Sequence, residues 1–228
     1  MAPNTGSNPK RRSSEVSLEN LRRKREKKTA RAVDPGARPA ILEAALTAFA
    51  RDGFDGASLP KIAEIAGVAH PLIHYYFGSK DNLWRETVEY AFGGLIGEAK
   101  AVEAASSSLL PLQRLRVMVQ AFAQFAARYP NHLGLIMAEM RSNSERLFWL
   151  RENYLDAFVK RLKQILKDAQ EQNAIKKVPL DHLVPILMGP VLLYFSINPQ
   201  SPKIFSSEEL ANRHAKWVLE VILQGITS

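Results

Sequence analysis

The chain has 228 residues, 46% of them hydrophobic, enough to bury a substantial core in one large domain or two small ones. Cysteine is absent, which excludes disulfides and thiolate metal sites. The net charge of +8 is unevenly placed: residues 1–40 carry eleven Lys/Arg against four Asp/Glu, so a basic arm precedes a near-neutral body.

In chain order, residues 1–36 are rich in Ser, Asn, Pro and charge and poor in large apolar residues, the composition of a disordered segment. No apolar run of the kind a secretory leader needs is visible there, and the expected compartment is the cytoplasm. Ser17 to Ala32 can turn helical against a partner, since Leu18 and Leu21 share a face. The arm's charge suits a polyanion partner, and it equally suits plain solubilisation.

The folded body is expected to begin near Arg38, and from there almost every segment repeats its apolar residues at helical spacing. Ile41, Leu42, Ala45, Leu46 and Phe49 form the first stripe, with Gly53 as its stop. A short helix runs from Ser58, placed as N-cap, to Ile65, and a second from Ala69 to Tyr76. Ser79 or Lys80 opens a longer one through Leu83, Trp84, Val88 and Phe92. Leu112, Leu115, Val119, Phe122 and Phe125 mark the next, and a short helix follows Pro130. A long amphipathic helix covers Leu147 to Ala169; Leu180 to Ile197 and Leu210 to Ile222 give the last two. The class is all-α, with about nine helices by this periodicity. The apolar run from Leu183 to Ile197 contains Pro185, Gly189 and Pro190 and is short for a bilayer, so it reads as a buried helix and no membrane partner is expected.

The informative stretch is Leu59 to Phe77. Two short helices crossing at a tight turn need a small residue at the crossing, which Ala63 supplies. They need a residue free to take positive φ, which is Gly67, and Val68 plugs the angle between them. Ile62, Ile73 and Phe77 are expected to face inward with Leu46 and Phe49. This is the arrangement of a helix-turn-helix, whose second helix enters a major groove; the same spacing also suits an ordinary helical hairpin within a bundle. The outward face of the second helix carries His70, Pro71, Leu72, His74 and Tyr75 rather than Lys, Glu and Gln. Leu72 and Tyr75 make more sense there against thymine methyls, sugars and phosphates than against water. His70 and His74 also have an i, i+4 metal spacing, but no Glu follows His70 and no third ligand is evident, so no metal or other cofactor is expected.

Residues 38–85 resemble the DNA-binding domain of the TetR family of regulators, through Ile41-Leu42, Ala44-Ala45, Phe49, Gly53, Ile62-Ala63, Ala66-Gly67-Val68, Tyr76-Phe77, Ser79-Lys80 and Leu83. The resemblance implies a homodimer whose helical C-terminal part binds a small molecule and whose N-terminal part then leaves its operator. It implies that Ser58 and Leu59 open the first motif helix near phosphate. Ala69, His70, Pro71 and Leu72 then lie at base edges. His74 and Tyr75 stand on the reading face, and Tyr76 and Lys80 match phosphate-contacting positions. Ala69, Leu72 and His74 stand where the family usually has Ser, Thr and Tyr, so the operator sequence does not carry over. Residues 41–85 hold four Lys/Arg against five Asp/Glu, which leaves nonspecific phosphate attraction to the arm.

Beyond Tyr90 the resemblance fades. Phe122, Met137, Glu139, Met140, Arg141, Trp149, Tyr154 and Phe158 are candidates for an effector pocket, and ordinary core packing explains the apolar ones equally well. Leu187, Val191, Tyr194, His214, Trp217, Val218 and Val221 offer apolar faces for a four-helix dimer interface. No phosphate loop, nucleophile elbow or dinucleotide fingerprint is present, so no enzyme activity is expected. The expected organisation is a basic arm over 1–36, a helix-turn-helix domain over 37–84, and a helical effector-binding and dimerisation domain over 85–228. The expected partners are a double-stranded DNA operator, a second copy of the chain and an unidentified small-molecule effector. A ligand-free architectural DNA binder and a helical small-molecule carrier are the alternatives.

Overall fold

Residues 35–196 and 208–226 are described by a computed structural model, and every regular element among them is a helix. The arm read over 1–36 lies outside the described residues except for Pro35 and Gly36, as does Ile197.

Helix α1 spans Ala37–Gly56. Gly53 takes φ 71° and ψ 176° and breaks it as the sequence anticipates, although a last turn follows before the chain leaves the helix. Helix α2, Leu59–Ala66, starts where the Ser58 hydroxyl accepts the Lys61 N–H. It ends at Gly67 with φ 67°. There the Gly67 N–H reaches the Glu64 carbonyl and the Val68 N–H the Ala63 carbonyl, a Schellman closure that only the left-handed conformation at Gly67 permits. Helix α3 is His70–Phe77, and Ser79 caps α4, Lys80–Phe92, by accepting the Asn82 N–H at 3.1 Å. Arg38 at the start of α1 pairs with Glu86 on α4.

Helix α5, Leu95–Ser106, is one that the apolar periodicity does not mark. It is rich in Ala and buries only Ser106 fully, so no stripe of large residues announces it. Helices α6, Pro111–Arg128, and α7, Pro130–Ser142, follow, and Asn143 ends α7 with φ 46°. The long amphipathic stretch from Leu147 is α8, Glu145–Leu150, running through a π-helical segment, Arg151–Leu155, into α9, Asp156–Glu171. Helices α10, Leu180–Ser196, and α11, Glu208–Ile226, complete the described chain.

The buried side chains form one continuous core. Ile41, Leu46, Phe49, Ile62, Ile73, Phe77 and Leu83 hold α1 to α4 together. Helix α7 lies along α1 so closely that a β-carbon at Gly134 would stand 3.0 Å from that of Ala50. Helix α6 is the central rod of the remainder and packs against α9, α10 and α11. No helix among the described residues is long and apolar enough to cross a membrane.

Candidate nucleic-acid interface and effector cavity

The reading face follows from how α3 is anchored. Ile73 and Phe77 are buried against α1 and α2, which turns the opposite side of α3 to solvent. Pro71, His74 and Tyr75 are exposed, Tyr75 at 69%, and Ala69 is the exposed N-cap. Leu72, Tyr76 and His70 are half-buried. A ring nitrogen facing a carbonyl must donate, so the His74 Nδ1–H gives its bond to the Gly78 carbonyl at 3.2 Å. That leaves Nε2 of neutral His74 as an acceptor for an amino group on a base edge. The His70 ring meets His74 edge-on at 5.2 Å, and its Nε2 is buried without a hydrogen-bond partner. Among the described residues no three His, Asp or Glu side chains gather as a metal site.

Ser58 and Leu59 sit at the start of α2, with Ser58 exposed and Leu59 half-buried. Lys80 departs from a free phosphate contact. Its ammonium lies 4.6 Å from the centre of the Phe54 ring and 3.5 Å from the Asp55 carbonyl. Lys61 is likewise paired, at 2.9 Å from Glu64.

Beside the end of α4 lies a cavity of about 280 Å3, walled mainly by α5, α6 and α9, with Phe92, the last residue of α4, Ile136 of α7 and Tyr154 of the π-helical segment also in its lining. Of the expected effector residues, Phe122, Tyr154 and Phe158 line it. The other five do not. Glu139 is 2% exposed and takes bonds from the Ser142 and Ser144 hydroxyls at 3.2 and 2.9 Å, so its partners are internal. Met140 and Arg141 lie exposed on α7, and Met137 is half-buried outside the lining. Trp149 packs edge-on against Trp84 at 5.7 Å, with Arg85 over its ring. The sequence reading missed Leu95, Val102, Arg114, Arg161 and Ile165 as lining residues. The usable signal was Arg114 and Arg161 lying close to apolar stripes on two amphipathic helices.

The expected dimer residues separate by depth. Leu187, Val191 and Val218 are buried within the chain, so they are core and not interface. Tyr194 and His214 are half-buried and stack on each other, rings 3.8 Å apart. The His214 ring also faces the Pro190 carbonyl at 3.3 Å, and burial lowers its pKa. Trp217 and Val221 are 60% and 68% exposed, and Ile186 and Leu193 of α10 join them as exposed apolar residues.

Residues 41–87 match the model of bacterial regulatory proteins of the tetR family. Over 191 residues the chain is 25% identical to the transcriptional regulator RutR of Escherichia coli, covering 82% of this chain and 89% of that protein. It is 24% identical to the transcriptional repressor NicS of Pseudomonas putida, with 82% and 90% covered. The fold resembles the crystal structure of HlyIIR, a hemolysin II transcriptional regulator, with a TM-score of 0.63 at 24% identity over 79% of this chain and 96% of that one. The capped α2, the left-handed Gly67 and the solvent-facing side of α3 all lie within the matched segment, so residues 41–87 carry a tetR-family helix-turn-helix domain, and the chain is a DNA-binding transcriptional regulator.

Proposed function

We propose that this regulator is a cytoplasmic homodimeric repressor, and that a small apolar molecule entering the cavity beside the end of α4 releases it from its operator. The observation that carries the reading is the position of Phe92. It is the last residue of α4, the helix that also holds Leu83 and Trp84 in the core beneath the reading head, and it is part of the cavity wall. A molecule in that space acts on the same rod that positions α3, so it favours whichever head spacing it fits. Residues 37–84 then act as the reading head and residues 85–228 as the effector-binding and dimerising part. His74, Tyr75, Leu72 and Pro71 read bases, while Ser58, Tyr76 and the basic arm meet phosphates. Two heads act together because specific reading needs two half-sites about one DNA turn apart.

The test is selection of bound fragments from the source genome, followed by a gel shift with the selected duplex and a thermal-shift screen of apolar metabolites. A metabolite that raises the melting temperature and also frees the duplex is the expected result. Tight DNA binding that no stabilising molecule alters favours the architectural alternative. Ligand binding without any selected duplex favours a carrier.

A further inference from the structure

The cavity is not evenly apolar, and its polarity runs along α6. Arg114, Met118, Phe122 and Phe125 make one wall. Eleven residues separate the first from the last, about 16 Å of helix. The far end is aromatic, with the Phe122 ring 5.6 Å from that of Phe158 on α9. Arg114 stands at the other end of that wall, and the lining also holds Arg161 of α9 and Glu103 and Ser106 of α5.

The polar groups of the lining differ in how far they are satisfied. The Arg161 guanidinium is 2.6 Å from the Glu103 carboxylate, and the Ser106 hydroxyl donates to the Val102 carbonyl at 2.9 Å. Arg114 reaches Asp168 only at 3.5 Å, and its Nε is buried with no hydrogen-bond partner. Asp168 meanwhile takes a shorter bond, 2.7 Å, from the Gln164 amide. A buried guanidinium N–H without an acceptor is unfavourable, and the planar donor fork of an arginine matches a carboxylate. The charged lining residues are Lys100, Arg114 and Arg161 with Glu98 and Glu103, and Asp168 stands just outside beside Arg114.

We infer that the effector is an apolar acid, with a hydrocarbon body in the aromatic end of the cavity and one carboxylate seated on Arg114. This rests on the reading of the cavity as the effector site and adds the chemistry of its head group.

The experiment is calorimetric titration of the full-length protein with decanoate, 1-decanol and decylamine, which share a body and differ in the head. Decanoate is expected to bind at least tenfold more tightly than the alcohol, and decylamine more weakly than either. Arg114→Gln, its fold checked by circular dichroism, should bring decanoate down by roughly tenfold to a hundredfold and leave 1-decanol unchanged. Asp168→Asn removes the competing carboxylate and should tighten decanoate, a gain that damaged folding does not imitate. Equal affinity for acid and alcohol, with neither variant changing it, overturns the anionic head and leaves an apolar effector site standing. Binding of none of the three also overturns it. The effector reading itself falls only if the wider metabolite screen yields no molecule that frees the DNA.

Discussion

The Arg146 guanidinium carbon lies 3.6 Å from the centre of the Phe54 ring, joining the first turn of α8 to the end of α1 beside the reading head. The other side of Arg146 faces the buried Glu139 carboxylate at 3.5 Å. The Lys80 ammonium shares the same Phe54 ring. Arg146→Ala strips the nearest cation from a carboxylate that is 2% exposed, and losing one member of such a pair costs about 3 kcal/mol. Urea unfolding should show that loss. Arg146→Lys, which keeps the charge but not the planar stack, should lose less. A stability equal to the original for Arg146→Ala would show that Glu139 needs only its serine partners.

Tyr75 and Lys80 are expected to contribute very differently to DNA binding. Tyr75 is 69% exposed on α3 and meets the Tyr76 ring edge-on at 5.3 Å, so Tyr75→Ala should lower the melting temperature little and weaken binding to a selected duplex by about 1–3 kcal/mol. Lys80 already spends its ammonium on Phe54 and the Asp55 carbonyl, so Lys80→Ala should weaken DNA binding less and destabilise the fold slightly. Fluorescence anisotropy at two salt concentrations separates the two, and a larger loss for Lys80→Ala would place phosphate contact above base contact here.

His132 should make the protein acid-sensitive. Its pKa is lowered, chiefly by burial, with the Ala91 backbone and the charge of Glu43 acting the other way. Its ring is packed among Phe92, Phe125 and Tyr129. Below the ordinary histidine pKa of 6.5 the unfolded chain takes up a proton that the folded chain resists. Stability is therefore full above that pH and declines as the pH falls toward the folded value. His214, also lowered by burial, adds to the same slope. His132→Phe should flatten part of the stability loss as the pH falls below 6.5. An identical slope in the variant would rule His132 out as its source.

Val221 and Trp217 on α11, with Ile186 and Leu193 on α10, leave large apolar side chains in water in the single chain. Val221→Glu should therefore turn a dimer into a monomer, read by light scattering after gel filtration, while circular dichroism stays helical. Leu187→Glu, by contrast, should unfold the chain, because that residue is 0% exposed within one copy. A Val221→Glu protein that remains dimeric would move the interface elsewhere.

The sequence by itself determined the reading head and the all-helical class. Ser58, Gly67 and Ser79 act through bonds a few residues long, and the positive φ at Gly67 needs no distant partner, so local chemistry sufficed. Periodicity then gave the stripes of α6 and α9 but not their depth, because one apolar stripe serves equally for core, cavity or interface. Only the packing of whole helices separated the buried Leu187, Val191 and Val218 from the exposed Trp217 and Val221. It alone brought α5, whose small residues carry no periodic signal, to the same cavity as Phe122 and Phe158, and placed Arg114 and Arg161, from helices far apart in the chain, in its lining.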